Sequence, residues 1–149
     1  MSTPGKVFFT GSFPRTLDDK GRLTIPSEWR SAHAKDEQFM IAPMGGYLAV
    51  LPPAELERLH AKISAMDLGD SDAQESASAL FSEVQSFGWD TVGRVVLKPE
   101  LLAHAGIAKD VVFVGALTKF NIYSAERWAQ VKGRTAGANF GDLMRRLRI

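Results

Sequence analysis

The feature of this sequence that most constrains its fold is an internal repeat. The segment that begins at Asp18 has aspartate, glycine and arginine at its first, fourth and fifth positions, and an apolar segment follows. The segment that begins at Asp90, 72 positions later (90 − 18), has the same three residues in the same places and a similar continuation. A repeat of this kind indicates that the fold is built from two copies of one structural unit.

A single inserted residue extends the alignment beyond the motif. Pro26 and Pro99 are 73 positions apart (99 − 26), so the second copy holds one extra residue near Lys98. The new offset then aligns two further pairs of apolar segments, 39–42 with 112–115 and 47–50 with 120–123. Both pairs need the same insertion, and the pattern therefore favours a duplication over chance similarity.

Each copy predicts the order strand, turn, strand, short helix, strand, turn, strand. Short apolar runs rich in Val, Ile, Phe and Tyr, bounded by Gly, Pro and Asp, are typical of strands. Gly45-Gly46 predicts a tight hairpin between two such runs. Pro26 and Pro99 are each followed closely by a glutamate, which is typical of the start of a helix.

Longer helical patterns lie between the copies and at the end of the chain. Residues 53–66 and 72–87 have apolar side chains at spacings of three and four, with a break at 68–72, and they predict a helical hairpin. Residues 139–147 predict a short terminal helix by the same criterion.

We expect a small α+β protein with a pseudo-twofold axis. Each half offers about four short strands, too few to close a barrel alone, and pairing the two halves would shield their strand edges. The predicted division is a first unit at 12–55, a helical connector at 56–83, a second unit at 84–127 and a basic C-terminal tail or helix at 128–149.

Composition narrows the class of protein. Hydrophobic residues make up 45% of the chain, as in ordinary globular proteins, and the absence of cysteine excludes disulfides and thiolate zinc sites. The N-terminus lacks the basic and apolar pattern of a signal peptide, and no apolar run reaches the roughly 18 residues of a membrane-spanning helix. We therefore expect a soluble, cytoplasmic protein with no membrane partner.

Charge is distributed unevenly along the chain, although the net charge is only +1. Residues 54–85 carry two basic and seven acidic side chains, a net charge of −5 (2 − 7). Residues 127–149 carry six basic side chains and one acidic, a net charge of +5 (6 − 1). This segmentation is compatible with a polyanionic partner, and equally with solvated acidic and basic surfaces.

The repeated Asp-x-x-x-Arg between predicted strands resembles the MraZ family, whose halves belong to the AbrB/SpoVT swapped-hairpin class. The resemblance rests on Leu-Asp-Asp-Lys-Gly-Arg-Leu-Thr-Ile-Pro at 17–26 and Trp-Asp-Thr-Val-Gly-Arg-Val-Val-Leu at 89–97. The stretch 104–115 and the pair Lys119-Phe120 are also similar to the family. The similarity covers the chain from about Phe9 to Trp128, including the helical connector.

The resemblance implies a fold and a function. The fold would be two duplicated swapped-hairpin β-barrel units. The function would be transcription regulation by a homo-oligomeric ring, associated with the nucleoid, that binds repeated elements of double-stranded DNA in the promoter of the division and cell-wall gene cluster. It also implies no cofactor, no small-molecule substrate and no catalysis.

Four basic residues are candidates for DNA contact. The guanidinium of Arg22 can pair in a bidentate manner with a phosphate or with the O6 and N7 edge of guanine, and Lys20 and Arg15 would add charge nearby. Arg94 is the fourth candidate. The second copy has valine and phenylalanine where the first has Lys20 and Arg15, so Arg94 would be a lesser contact or purely structural.

The remaining motif residues are expected to hold the turns. Asp18 and Asp90 can accept backbone N–H bonds or pair with their arginines, and Gly21 and Gly93 permit a positive φ. The arginines at 145, 146 and 148 can contact DNA phosphates or solubilise the end of an amphipathic helix.

The sequence leaves two other classes of protein as alternatives, an enzyme and a partner-binding protein. An enzyme is disfavoured because His33, His60 and His104 have no recurrent acid or nucleophile spacing and are better explained as helix-surface residues, and because phosphate-loop and metal-ligand motifs are missing. The stronger alternative is an oligomeric assembly or partner-binding protein, antitoxin-like, without specific DNA binding. Antitoxins of the AbrB class usually carry one copy of the unit, so the duplication argues against that variant.

Overall fold

The computed structural model describes residues 7–31, 33 and 37–149. Within them the chain is an α+β protein of eight strands and six helices. The elements are β1 Ser12–Thr16, β2 Arg22–Thr24, α1 Ser27–Arg30, β3 Phe39–Pro43, β4 Leu48–Leu51, α2 Pro53–Ser64, α3 Ser71–Phe81, β5 Gln85–Phe87, β6 Arg94–Val96, α4 Pro99–His104, β7 Asp110–Gly115, β8 Phe120–Ser124, α5 Ala125–Arg134 and α6 Phe140–Leu147.

The strands form one large sheet and one small ribbon. The six-stranded antiparallel sheet has the order β1-β7-β8-β4-β3-β5, and β2 pairs with β6 alone. Each repeat therefore places its first strand beside the third strand of the other repeat, since β1 pairs with β7 and β5 with β3. The two repeats are interleaved rather than folded side by side.

The strand registers follow the offsets of the repeat. At the centre of the sheet Leu48 pairs with Ile122 and Ala49 with Asn121. Asn121 and Ile122 are the repeat counterparts of Leu48 and Ala49 at an offset of 73, so exchanging the two repeats converts one pair into the other. In the ribbon Arg22 pairs with Val96 and Thr24 pairs with Arg94. At an offset of 72 these two pairs are also converted into each other when the repeats are exchanged. Both central pairings are those of a pseudo-twofold arrangement.

The expected β-barrel is not closed in the described part of the chain. The large sheet is open, with β1 and β5 at its edges. The ribbon strands leave the sheet after their turns and pair with each other instead of joining β1 to β5. The inner ribbon residues Leu23 and Val95 are buried in the same core as the sheet, so the ribbon packs on one sheet face.

Aromatic side chains fill the core between the ribbon and the sheet. Trp29, from α1, lies with its ring centroid 4.6 Å from that of Phe120. Phe9 approaches Phe120 at 5.5 Å, and Phe39 approaches Trp89 at 5.1 Å. Rings of this size bury much of the apolar surface of a small domain, so both repeats contribute to a single core.

The opposite face of the sheet carries the longer helices. Helix α2 packs on β3 and β4, and α5 packs on β7 and β8. The ring of Tyr123 on this face stacks on Tyr47 at 4.9 Å and lies 5.2 Å from Trp128 of α5. Helices α2, α3, α5 and α6 contain no fully buried residue, so every side chain of this layer keeps some exposure to solvent.

Most of the predicted elements are present, and two differences are informative. The helical pattern at 72–87 was wrong beyond Phe81, because Gln85–Phe87 forms β5 and Phe87 pairs with Phe39 in the sheet. Helix α5, Ala125–Arg134, begins three residues before the segment 128–149, for which either a tail or a helix was expected. The terminal helix is confirmed as α6, with Asn139 as its N-cap in a capping box with Asp142.

Candidate nucleic-acid interface

The first motif forms a tight turn organised by one carboxylate. Oδ1 of Asp18 accepts hydrogen bonds from the backbone N–H groups of Lys20 (2.9 Å) and Arg22 (2.8 Å), and Oδ2 accepts one from Arg22 Nε (2.6 Å). Backbone bonds from Gly21 N–H to the Asp18 carbonyl and from Asp18 N–H to the Arg22 carbonyl close the turn, both at 3.0 Å. Gly21 has a φ of 72°, a conformation that glycine adopts at little cost.

The second motif repeats this turn bond for bond. Asp90 accepts from the N–H groups of Val92 (3.0 Å) and Arg94 (2.9 Å) through Oδ1, and from Arg94 Nε (2.8 Å) through Oδ2. The closing backbone bonds are 3.0 and 3.1 Å long, and Gly93 has a φ of 85°. The shared residues thus coincide with a shared hydrogen-bond network.

These bonds keep both aspartates ionised. The backbone N–H of Arg22 is the main reason that the pKa of Asp18 lies below its ordinary value, and the Arg22 side chain contributes in the same direction. The pKa of Asp90 is lowered in the same way, chiefly by the backbone N–H of Arg94. Each ionised carboxylate accepts a hydrogen bond from the Nε of its arginine. Among the described residues, none accepts a hydrogen bond from the Nη atoms of Arg22 or Arg94.

The ribbon brings the two arginines onto one surface. Arg22 lies opposite Val96, and Arg94 lies opposite Thr24 in the antiparallel pairing. Arg22 and Arg94 are thus diagonal neighbours, about 7–8 Å apart at Cα, on the same face. Because Leu23 lies between them on the buried side, this face points away from the core. Their side chains remain 26% and 33% exposed.

The structure gives the other two candidate cations different settings. Lys20 is exposed at the tip of the first turn, beside Arg22. Arg15 lies on β1, where its guanidinium is 5.7 Å from the ring centroid of Phe13 and donates to the carbonyl of Pro14. These two side-chain contacts of Arg15 are with its own strand, and its backbone pairs with Val111 of β7.

A further cation, Arg30, was not identified from the sequence. Its Nε donates to the carbonyl of Ile25 at 2.9 Å, and its guanidinium lies against Gly93, where an added Cβ would be 2.3 Å from the arginine Cζ. Arg30 belongs to the first repeat but lies at the turn of the second. Only the pairing of β2 with β6 brings these residues together, so a motif search along the chain does not find them.

The three histidines lie in different surroundings in the described part of the chain. His33 was expected on a helix surface, but its ring lies 4.9 Å from Phe39 and stacks on Phe9 at 6.1 Å. His60 contacts Ser64 on α2, and His104 contacts the carbonyl of Met44. Among the described residues no group of three or more His, Cys, Asp or Glu side chains is arranged to hold a metal ion.

None of the helices within residues 7–31, 33 and 37–149 has the length and apolar character needed to cross a bilayer.

The outward ribbon face is chemically suited to an acceptor-rich partner. Each aspartate fixes one edge of a guanidinium and leaves the Nη groups to donate, which orients the planar group before a ligand arrives. Lys20 and Arg30 add positive charge at opposite ends of the ribbon. Such a surface can bind phosphates and the hydrogen-bonding edges of bases.

Comparisons with known proteins assign both repeats to one family. A family model described as "MraZ protein, putative antitoxin-like" matches twice, over residues 8–77 and 80–147. The chain is 33% identical over 121 residues to a protein of Thermomicrobium roseum named "Transcriptional regulator MraZ", covering 81% of this chain and 84% of the relative. Proteins of the same name from Heliobacterium modesticaldum and Symbiobacterium thermophilum are each 33% identical, covering 86% and 92% of this chain and 89% and 98% of the relatives. The chain belongs to the MraZ family.

Proposed function

We propose that the protein is a sequence-specific DNA-binding regulator of transcription, and that the ribbon of β2 and β6 is the surface that reads DNA. The observation that carries the proposal is the placement of Arg22 and Arg94, each held by an aspartate, on one outward face of a two-stranded antiparallel ribbon. The names of its relatives support a role in the regulation of transcription.

The dimensions of the ribbon suit the major groove of B-DNA. That groove admits a two-stranded β-ribbon, and bidentate arginine–guanine pairs are the commonest specific contacts made there. Arg22 and Arg94 would then contact base edges, while Lys20 and Arg30 would contact phosphates on either side. In this arrangement the aspartates orient the arginines and do not themselves touch DNA.

The fold supports a more specific assignment of the two halves. We infer that each is an AbrB/SpoVT-like swapped-hairpin unit, because β1 and β5 are exchanged between the repeats and β2 pairs with β6. The units would correspond to 12–55 and 84–127, with a connector at 56–83 and a basic C-terminal segment at 128–149.

Assembly would strengthen binding. A homo-oligomeric ring places several ribbons side by side, so that contacts to repeated DNA elements combine by avidity even when each is weak. We propose that these elements lie in the promoter of the division and cell-wall gene cluster, and that the protein works in the cytoplasm at the nucleoid.

The test is a titration of the purified protein against its own upstream promoter DNA and against a scrambled duplex, at several salt concentrations. We expect preferential binding to the promoter and a binding constant that falls as salt rises, since phosphate contacts release counterions. Equal, negligible binding to both duplexes at low salt would contradict the proposal. That result would favour the alternative, an assembly or antitoxin-like partner-binding protein.

A further inference from the structure

One apolar side chain lies on the outward face of the ribbon beside both arginines. Burial alternates along β6, so that Arg94 and Val96 lie on the outward face while Val95 is buried beneath them. Val96 follows Arg94 by two positions on the same strand and pairs with Arg22 across the ribbon. It is 55% exposed, on a face whose other paired residues are the two arginines and a threonine.

The strand pairing brings the side chains of Val96 and Arg22 close together. The N–H of Ile25 donates to the Gly93 carbonyl at 2.9 Å, so these two residues form a hydrogen-bonded pair of the ribbon. Hydrogen-bonded and non-hydrogen-bonded pairs alternate in an antiparallel ribbon, and Arg22 with Val96, three pairs along, is therefore a non-hydrogen-bonded pair. In such pairs the Cα atoms are only about 4.5 Å apart and the side chains approach most closely.

A glutamine side chain holds the backbone around Val96. The Nε2 of Gln85, on β5, donates to the Val96 carbonyl at 2.8 Å, and its Oε1 accepts from the Lys98 N–H at 2.9 Å. At an offset of 72 the counterpart of Gln85 in the first repeat is Phe13, whose side chain has no hydrogen-bonding group. The amide therefore fixes the end of β6, and with it the position of Val96, before any ligand arrives.

The location of Val96, more than its exposure, points to a partner. Single exposed apolar residues are common on protein surfaces, so exposure alone indicates nothing. The hydrophobic core contains Leu23 and Val95 of the ribbon but not Val96, so the core does not account for a valine at this position. A duplex that engages the Nη groups of Arg22 and Arg94 would also cover the valine that lies beside them.

We infer that Val96 contacts the C5-methyl group of a thymine in the major groove, next to the base that Arg22 contacts. Thymine is the base that presents a methyl group there, and apolar side chains are the groups that contact it. A valine facing the polar edge of another base would remove water from that edge without replacing its hydrogen bond. The Cα separation of about 4.5 Å is close to the rise of about 3.4 Å per base pair, so neighbouring side chains reach neighbouring base pairs.

The two ends of the ribbon would then differ in selectivity. Thr24 is the repeat counterpart of Val96 and pairs with Arg94. Its hydroxyl group donates to or accepts from several bases, whereas valine has only methyl groups to offer. Thymine is therefore required beside Arg22 and is one of several accepted bases beside Arg94. The inference rests on the proposed DNA binding and deepens it, because it names a base that the ribbon reads.

The experiment removes single methyl groups from the DNA. The full chain is titrated against its promoter duplex and against duplexes in which each thymine of the bound segment, in turn, is replaced by deoxyuridine. We expect at least one position at which deoxyuridine weakens binding about fourfold, the factor that corresponds to one methyl-sized group no longer buried. The slope of binding against salt should not change, because the replacement alters no charge.

Two variants assign the methyl contact to a side chain. In Val96→Ala, which lacks the γ-methyl groups, the duplexes with thymine and with deoxyuridine at that position should bind equally. Val92→Ala is the matched control, because it makes the same change at a valine that is 54% exposed at the tip of the second turn, outside the paired strands. The control should keep the fourfold difference between the two duplexes.

The outcomes separate this inference from the proposed function. If the unsubstituted protein binds every deoxyuridine duplex as tightly as the promoter, no methyl group is read and the inference is refuted, while the proposed DNA binding stands. A difference that persists in Val96→Ala, or that disappears in Val92→Ala, would assign the methyl contact to another residue and would also refute it. A protein with no preference for the promoter over a scrambled duplex would contradict both proposals.

Discussion

The two motif turns have the same backbone and different surroundings. Asp18 and Asp90 make the same three hydrogen bonds to residues two and four positions later. An added Cβ at Gly21 would meet nothing within 4 Å, whereas at Gly93 it would collide with the guanidinium of Arg30. The Asp-x-x-Gly-Arg pattern therefore determines the backbone conformation of the turn. Whether the turn is open to solvent or covered by a side chain depends on the neighbouring elements.

The origin of the difference is the short helix that follows each ribbon strand. Helix α1 carries Arg30, which lies at the turn of the other repeat, while α4 has no arginine to return the contact. The first turn has no arginine packed against it but carries its own cation, Lys20, where the second turn has Val92. Each end of the ribbon therefore has one extra cation, exposed on a turn at one end and packed against a glycine at the other.

The largest expected effect tests whether the two turns form one unit. Leu23 is fully buried beneath the ribbon, so Leu23→Ala should lower the free energy of unfolding by about 2–5 kcal/mol. Amide hydrogen exchange should then accelerate in both turns, including the N–H of Gly93 in the other repeat. Thr24→Ala, on the exposed side of the same strand, is the control and should change stability by less than about 0.5 kcal/mol. Acceleration in the first turn alone would mean that the turns are independent.

The next effect separates the open turn from the covered one. Gly21→Ala should cost about 1–2 kcal/mol, because alanine is strained at positive φ. Gly93→Ala should cost more in chemical denaturation, because it must also displace Arg30. In an Arg30→Ala background the difference between the two glycine variants should shrink. If Gly21→Ala and Gly93→Ala lower the free energy of unfolding equally in the protein that keeps Arg30, the contact of Arg30 does not distinguish the two turns.

A smaller effect, on the salt dependence of DNA binding, is expected when the residues that differ between the tips of the two turns are exchanged. Lys20→Val should reduce the slope of log binding constant against log salt by about one, because it removes one phosphate contact. Val92→Lys should increase the slope by a similar amount and make the second turn resemble the first. Salt titrations of both variants on promoter DNA measure the change. A slope that is unaffected by either substitution would argue that the turn tips lie away from the phosphates.

The smallest expected effect is on the pH dependence of stability, and here the two turns should behave alike. The pKa values of Asp18 and Asp90 are lowered in the folded protein, so their stabilisation is complete above the unfolded value near 3.8 and is lost as pH falls through the folded value. Asp18→Asn and Asp90→Asn should therefore destabilise the protein at neutral pH, and the difference from the parent should vanish in acid. Urea unfolding at several pH values measures this. A much larger loss for one variant would show that the turns are not equivalent.

Local patterns in the sequence predicted the elements well. The repeat and the turn residues identified the ribbon strands, and the proline–glutamate pairs predicted α1 and α4. The helical pattern failed at 82–87, where apolar residues at spacings of three also fit a strand, and pairing with β3 decided between the two. Helix α5 could have been found by applying the repeat offset to α2, because the two are counterparts.

Long-range pairing could not be predicted from the chain. Nothing in either motif indicates that β2 pairs with β6, and that pairing is what makes Arg22 and Arg94 neighbours. The contact of Arg30 with the second turn depends on the same pairing. The closed barrel was implied by the family resemblance and is wrong for the described part of the chain, because strands can be counted in a sequence without showing which of them pair.

The most direct test of the shared ribbon surface is a double-mutant cycle on promoter DNA at fixed salt, with Arg22→Ala, Arg94→Ala and the double variant. We predict that each lowers specific affinity, that Arg22→Ala costs more, at about 1–3 kcal/mol, and that the two effects are not additive because the side chains are neighbours. Arg58→Ala on α2 is the control and should leave binding unchanged. If both ribbon variants, correctly folded, bind promoter DNA as tightly as the control, the ribbon is not the surface that reads DNA.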